Sequence, residues 1–166
     1  MSEWPDVTVP AGTFEWIKQH RRLYLRSGGV KGHIMNLTGA GGRAFGTCCL
    51  IRYRGRKSGR TMIQGLSYAD LGGEVVICAS KGGADDDPQW YLNIRASETV
   101  DFQIGTQAFR ATWREPEGVE RDRVWAFMAD CHPYYAAYQT RTSRVIPLVM
   151  MTAVAAIPVF SEADLD

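Results

Sequence analysis

Hydrophobic and polar positions change period several times along the chain. Over residues 13–26, Phe14, Ile17, Tyr24 and Leu25 share one helical face, Thr13 stands at the cap and Glu15 in the first turn. Lys18, Arg21, Arg22 and Arg26 make the other face basic. Ser27-Gly28-Gly29 ends that helix, and residues 30–46, with frequent glycine and little periodicity, predict a loop holding at most a short turn or strand. Extended runs then begin. Residues 47–53 and 62–68 predict two strands around the basic turn 55–59, and Leu71-Gly72-Gly73 predicts a hairpin into the apolar strand 74–79. Residues 100–104 and 107–113 flank Gly105-Thr106, a two-residue hairpin signal. Two further helices are predicted. One starts with Asp87 as cap and Pro88 at its first position and runs to Arg95. The other covers 118–131, with Val124, Phe127, Met128 and Cys131 spaced for burial, and stops at His132-Pro133. A segment with Tyr134, Tyr135 and Tyr138 follows. The apolar run 145–159 carries Pro147 and Pro158 and is short for a membrane span, so it predicts a last strand with a poorly specified tail.

This inventory is α+β and mainly β: about six mostly antiparallel strands joined by hairpins, closed into a barrel with helices packed outside. No strand leads into G-x-G-x-x-G and the 55–59 turn lacks P-loop spacing, which disfavours a doubly wound nucleotide-binding fold. With 166 residues at 45% hydrophobic, the chain has the size of one domain spanning 1–166, its barrel core over about 47–153.

Charge narrows the partners. A formal net charge of +1 argues against general nucleic-acid binding. The four cysteines form no C-x-x-C pair and stand near no histidine cluster, so no metal site is expected. Met1 to Asp6 lacks the basic and apolar regions of a secretory signal, and the expected location is the cytoplasm. The basic face of the first helix would suit peripheral membrane contact, although a solvated face is the favoured reading.

Basic character is concentrated locally. Arg52, Arg54, Arg56, Lys57 and Arg60 fall within nine residues. A second glycine-bearing loop, Ala79-Ser80-Lys81-Gly82-Gly83, comes one hairpin later, followed by Pro88-Gln89-Trp90-Tyr91-Leu92-Asn93. Alone, each is an ordinary charged turn. Together they favour a site where backbone amides and cations meet one acidic ligand. There is no nucleophile elbow, paired-carboxylate motif or metal-ligand spacing; Asp85, Asp86 and Asp87 suit capping and solvation, His33 is isolated, and no base is fixed for Ser80. Such a site suits a phosphate-bearing planar cofactor whose own ring does the chemistry.

These segments, with Tyr24-Leu25-Arg26-Ser27-Gly28-Gly29-Val30-Lys31-Gly32-His33, Gly55-Arg56-Lys57-Ser58-Gly59, Tyr138-Gln139 and Arg144-Val145-Ile146-Pro147, resemble the deazaflavin-dependent nitroreductase and quinone reductase family of actinobacteria. The resemblance implies a split β-barrel, coenzyme F420 (8-hydroxy-5-deazaflavin), and hydride transfer to a small-molecule acceptor: a quinone, a nitroaromatic or an activated enone. It assigns the coenzyme's phosphate and acidic tail to Arg56, Lys57 and Ser58, with Ile63 and Gln64 on the following run. It sets Cys78, Ala79, Ser80 and Lys81 beside the deazaflavin and has Gln89, Trp90 and Tyr91 close the groove. Tyr135 and Tyr138 match substrate-pocket positions and join Ser80 as the expected catalytic set. Met62 and Gly65 replace a usual arginine and proline, Arg52 and Arg54 replace frequent threonines, and His132 stands where an earlier pocket tyrosine is usual. These departures keep two alternatives open: a non-catalytic or lipid-binding barrel of the same class, and a flavin mononucleotide (FMN) enzyme on a related barrel.

Overall fold

Eight strands form the sheet in the computed structural model, which describes residues 14–165. The expected Thr13 cap, the start of the chain, and the Phe14 and Glu15 side chains lie outside the described residues. The elements are α1 (Phe14–Arg26), β1 (Ile34–Met35), β2 (Gly46–Arg54), β3 (Thr61–Ser67), β4 (Ala69–Leu71), β5 (Glu74–Cys78), α2 (Gln89–Ile94), β6 (Thr99–Ile104), β7 (Gln107–Arg114), α3 (Gly118–Cys131), α4 (Tyr134–Gln139) and β8 (Leu148–Ile157). About six strands were expected; β1 and β4 have two and three residues, too few to display a period.

Every pairing is antiparallel, and the ladder runs β3-β2-β6-β7-β8-β5-β4, with β1 also on β2. Its two end strands, β3 and β4, are separated in sequence by Tyr68 alone. Consecutive Cα atoms are about 3.8 Å apart, so a ladder whose opposite ends are joined through one residue must curl until those ends meet. That is the split barrel. Tyr68 is fastened on every side: its N–H donates to Thr47 O (3.1 Å), its carbonyl accepts from Thr47 Oγ1 (2.7 Å) and His132 Nε2 (2.8 Å), and its hydroxyl bonds His33 Nε2 (2.5 Å).

Alternation along the strands sorts side chains between the barrel interior and two outer layers. Cys49, Ile51, Val75, Ile77, Val100, Phe102, Val149 and Met151 point inward onto Trp90, Tyr91 and Ile94 of α2. Val76, Cys78, Leu148 and Met150 point outward beneath α3 and α4, while Leu50, Ile63 and Ala108 point outward beneath Tyr24, Leu25 and Phe160. Burial on both faces explains the uninterrupted apolar runs of β2 and β5.

Several expectations are corrected. On α1, Tyr24 and Leu25 are buried but Ile17 is 49% exposed; the stripe instead includes buried His20, whose Nε2 donates to Gly32 O at 2.9 Å. Gly65 admits that ring, since a Cβ there would sit 3.1 Å from His20 Nδ1. Of the basic face, Lys18, Arg22 and Arg26 are exposed, while Arg21 donates to Ile63 O at 3.2 Å. Asp87 caps nothing: Pro88 holds the cap position of α2 and Asp87 pairs with Arg144. On α3, Val124 and Met128 are buried, whereas Phe127 and Cys131 are half-buried. The tail after β8 is well specified, because Phe160 is buried under the Arg52 guanidinium, 4.4 Å from the ring centroid, and Asp164 pairs with Arg52 at 2.8 Å. Ser161 and Asp164 form a capping box there. Among the described residues no helix is long and apolar enough to cross a membrane.

Burial holds the imidazoles of His20, His33 and His132 below their ordinary pKa. The folded protein therefore keeps them neutral where the unfolded chain takes up protons. Their contribution is complete above the unfolded value of about 6.5 and is lost as pH falls below it toward the depressed folded values. Asp86 and Glu120, held low by hydrogen bonds from Lys81 and Arg114, add to acid loss only within the carboxylate range. Urea unfolding midpoints should fall between pH 7.5 and 5, before carboxylates titrate; equal midpoints would contradict the neutral buried histidines.

Candidate functional site

The candidate site is built around α2 from two loops and α4. The first loop, 55–60, joins β2 to β3 and closes on itself: Gly55 N donates to Arg60 O at 2.9 Å and Gly59 N to Gly55 O at 2.8 Å. Gly59 has φ +69°, a left-handed value that costs a residue with a side chain. Buried Asn93 docks this loop on α2, its Oδ1 accepting from Arg56 N at 3.0 Å and from the Arg56 guanidinium at 2.9 Å. The same guanidinium reaches Gln89 Oε1 at 3.2 Å. With Arg56 spent as an anchor, Lys57, Ser58 and Arg60 remain exposed, and Ser58 Oγ accepts from Arg60 N at 3.2 Å.

The second loop follows β5 and has an unusual backbone. Ser80 is right-handed (φ −82°, ψ −37°), Lys81 has φ 45° and Gly82 φ 65°. Lys81 is the sole non-glycine residue with positive φ among the described residues. A right-handed residue followed by a left-handed one turns three successive N–H groups into one concavity, a nest suited to a negatively charged or carbonyl oxygen. The N–H groups of Ser80, Lys81 and Gly82 donate to no described residue. Neither does the Ser80 hydroxyl, on a residue only 9% exposed. Ser80 therefore does not tie down its own loop through its side chain.

That conformation is imposed from outside. Arg144 donates to Ala84 O (2.7 Å), Ser80 O (2.8 Å), Ala79 O (3.1 Å) and Asp87 Oδ1 (2.9 Å). Gln139 in turn fixes the Arg144 segment, donating to Arg144 O at 2.7 Å and accepting from Ile146 N at 3.0 Å. Gly83 (φ +85°) lets the loop lie against α4: a Cβ there would come 2.5 Å from Tyr138 O. Lys81 Nζ turns to Asp86 Oδ2 at 2.6 Å, an exposed pair.

The structure brings Arg56 to Gln89 on α2, and sets the loop that carries Ser80 and Lys81 against half-buried Tyr138 of α4 through Gly83. Other expected residues lie deeper. Trp90 and Tyr91 bury their rings in the barrel core, with Tyr91 Oη donating to Glu115 Oε1 at 2.5 Å. Cys78 is buried beneath α3 and α4 outside the barrel interior, and burial pushes its thiol far up, so it is no nucleophile. Tyr135 is 4% exposed, its ring 4.7 Å from that of Tyr134 and its phenol held well above the ordinary value by burial. Gln64 accepts from Tyr53 Oη at 3.4 Å, and Ile63 faces the other way, into the cluster under α1. His132 is buried and bonded to Tyr68 O. The residues that hold the site, Asn93, Gln139 and Arg144, stood in the recognised motifs without roles; a polar residue within a run of buried positions is the signal that marks Asn93.

Residues 16–153 match the family model described as F420H(2)-dependent quinone reductase. An F420H(2)-dependent quinone reductase of Mycobacterium tuberculosis is 31% identical over 139 residues, covering 82% of this chain and 89% of the relative. A solved F420-H2 dependent reductase superimposes with TM-score 0.58 at 37% identity, over 63% of this chain and 92% of its own. A further structure, described as a domain-swapped dimer, gives TM-score 0.61 at 31% identity over 82% and 97% of the two chains.

Arg144 is the testable element of this geometry. Arg144→Ala removes the donor to Asp87, Ala79 O and Ala84 O, with Ser80 O keeping Gly83 N, and should cost about 3 kcal/mol in urea unfolding. Amide exchange should accelerate most at Gly83 and Ala84. Arg144→Lys should recover little, because one ammonium cannot span four acceptors. Full stability in Arg144→Lys would show that charge alone suffices.

Proposed function

The chain belongs to the F420H(2)-dependent quinone reductase family and is an F420H2-dependent reductase; on that premise we propose that it reduces quinones, with nitroaromatics and activated enones as further acceptors, in the groove between the two loops. The observation that carries this reading is the Ser80 hydroxyl, unpaired among the described residues, beside the 80–82 nest, held in place by Arg144. The donor set suits the coenzyme: exposed cations on one loop for its anionic arm, outward amides on the other for its ring oxygens.

When bound, the reduced coenzyme supplies a hydride. The chain supplies position and electrostatics. Lys57 and Ser58, with Arg60 compensating for Met62, hold the phosphate at the 55–60 loop. The amides of Ser80, Lys81 and Gly82 orient the ring. Ser80 Oγ donates to the acceptor oxygen as negative charge builds there, a bond stronger in the transition state than in the ground state. Tyr138 covers the acceptor, and Tyr135 backs it from below. Titration with the deazaflavin, FMN and a fatty acid tests the reading against an FMN enzyme and a lipid carrier; tighter binding of either competitor would replace it.

Two substitutions separate the roles. Lys57→Ala should remove a charge-assisted bond worth about 1.5–3 kcal/mol, a roughly ten- to hundredfold loss of coenzyme affinity, and make binding less salt-sensitive. An unchanged dissociation constant at low salt would take Lys57 out of the site. Ser80→Ala should slow hydride transfer to a quinone about a hundredfold in single turnovers with little change in coenzyme affinity, whereas Tyr138→Phe should chiefly shift KM. If the single-turnover rate of Ser80→Ala matches wild type, the hydroxyl has no part in the chemistry.

A further inference from the structure

A second cluster of cations lies outside this groove. On the outer face of the barrel a cleft of about 400 Å³ is lined by Arg52, Arg54, Thr61, Asp101, Arg110 and Asp164, among others. Strand register builds it: Arg52 on β2 lies opposite Asp101 on β6, which lies opposite Arg110 on β7, and Arg54 lies opposite Thr61 at the neck of the 55–60 loop. The row alternates in sign. Asp101 binds Arg52 at 2.7 Å and Arg110 at 3.1 Å, and Asp164 binds Arg52 from the other side at 2.8 Å.

All three nitrogens of the Arg52 guanidinium are engaged by these two carboxylates. Arg110 is not: it meets Asp101 through Nε alone among the described residues, and its side chain is 53% exposed. Arg54, also exposed, has only a 3.5 Å contact to Gly59 O among the described residues. The two cations with donors to spare therefore flank a buried carboxylate. Two strand spacings of about 4.8 Å and two residues of rise separate their backbones by roughly 12 Å. A compact anion such as one phosphate cannot reach both and would be repelled by Asp101 between them. An extended ligand carrying several carboxylates on a neutral backbone can place one at each. Asp164 shows the cleft already accepting a carboxylate.

We propose that this cleft is a second anion site for an extended polycarboxylate, and that its ligand is the coenzyme's acidic tail, passing from the 55–60 loop over Arg54 to Arg110. The proposal rests on the coenzyme reading above. It is tested by titrating wild type, Arg54→Ala, Arg110→Ala and the double variant with the tailed coenzyme and with a tail-free 8-hydroxy-5-deazaflavin, following fluorescence. The double variant should lose about tenfold in affinity for the tailed form, as expected for two exposed ion pairs, and keep its affinity for the tail-free form. Arg54→Ala, outside the ion-pair row, should show the same preference without disturbing the fold. Equal losses for both forms, or none for the tailed form, would overturn the proposal. Should wild type bind no deazaflavin, the coenzyme reading falls, and NMR titration with tri-γ-glutamate decides: saturable binding lost in the double variant supports the cleft as a polycarboxylate site, and no binding overturns it.

Discussion

The joining of both sheet ends through Tyr68 is the constraint on which the rest of the structure depends. A ladder that starts at β3 and finishes at β4 has to return to its origin within one residue. The seam is then locked by groups from distant segments, Thr47 from β2, His33 from the loop before β1, and His132 from the end of α3. Neutral imidazoles suit this role because they bond a carbonyl or hydroxyl inside the barrel wall without bringing a charge there. Closure also decides which strand faces are left for the helices, and so where α1, α3 and α4 pack.

The candidate site follows from closure. Both of its loops leave the regular ladder, one between β2 and β3, the other after β5, and among the described residues neither 55–60 nor 80–83 has a strand partner for its backbone. Their shape is set by side chains: Asn93 replaces the missing partner for Arg56 N, and Arg144 takes up the carbonyls of Ala79, Ser80 and Ala84. With the carbonyls turned to Arg144, the amides turn the other way. A left-handed Lys81 is costly for a residue with a side chain, of the order of 1–3 kcal/mol, and it persists because these anchors over-determine it. The nest is thus a product of the clamp.

Charge is handled differently on the two sides. In the groove, cations and amides are left available. On the outer face, the Arg52–Asp101–Arg110 row is mostly self-compensated and ties β2, β6 and β7 to the C-terminal turn through Asp164. A chain with a net charge of +1 can in this way present local cations without becoming a general polyanion binder.

Period and punctuation determined the larger strands, the Gly105-Thr106 hairpin, α3 over its full length, and the antiparallel class, because each is encoded within a few neighbouring residues. The motif strings marked the cation loop, the Ser80 loop and α2 as one candidate site. Which side chains face that site was decided only in three dimensions. Ile63 turned under α1 because β3 is paired so that its odd face meets Tyr24 and Leu25; Ile17 gave way to His20 because Gly65 leaves room on β3; Asp87 left the helix cap for Arg144, 57 residues away. The tail ordered itself on Arg52, 112 residues from Asp164. Local sequence sets the period of an element, but the partner that a buried or charged side chain needs comes from whichever distant segment closure brings beside it.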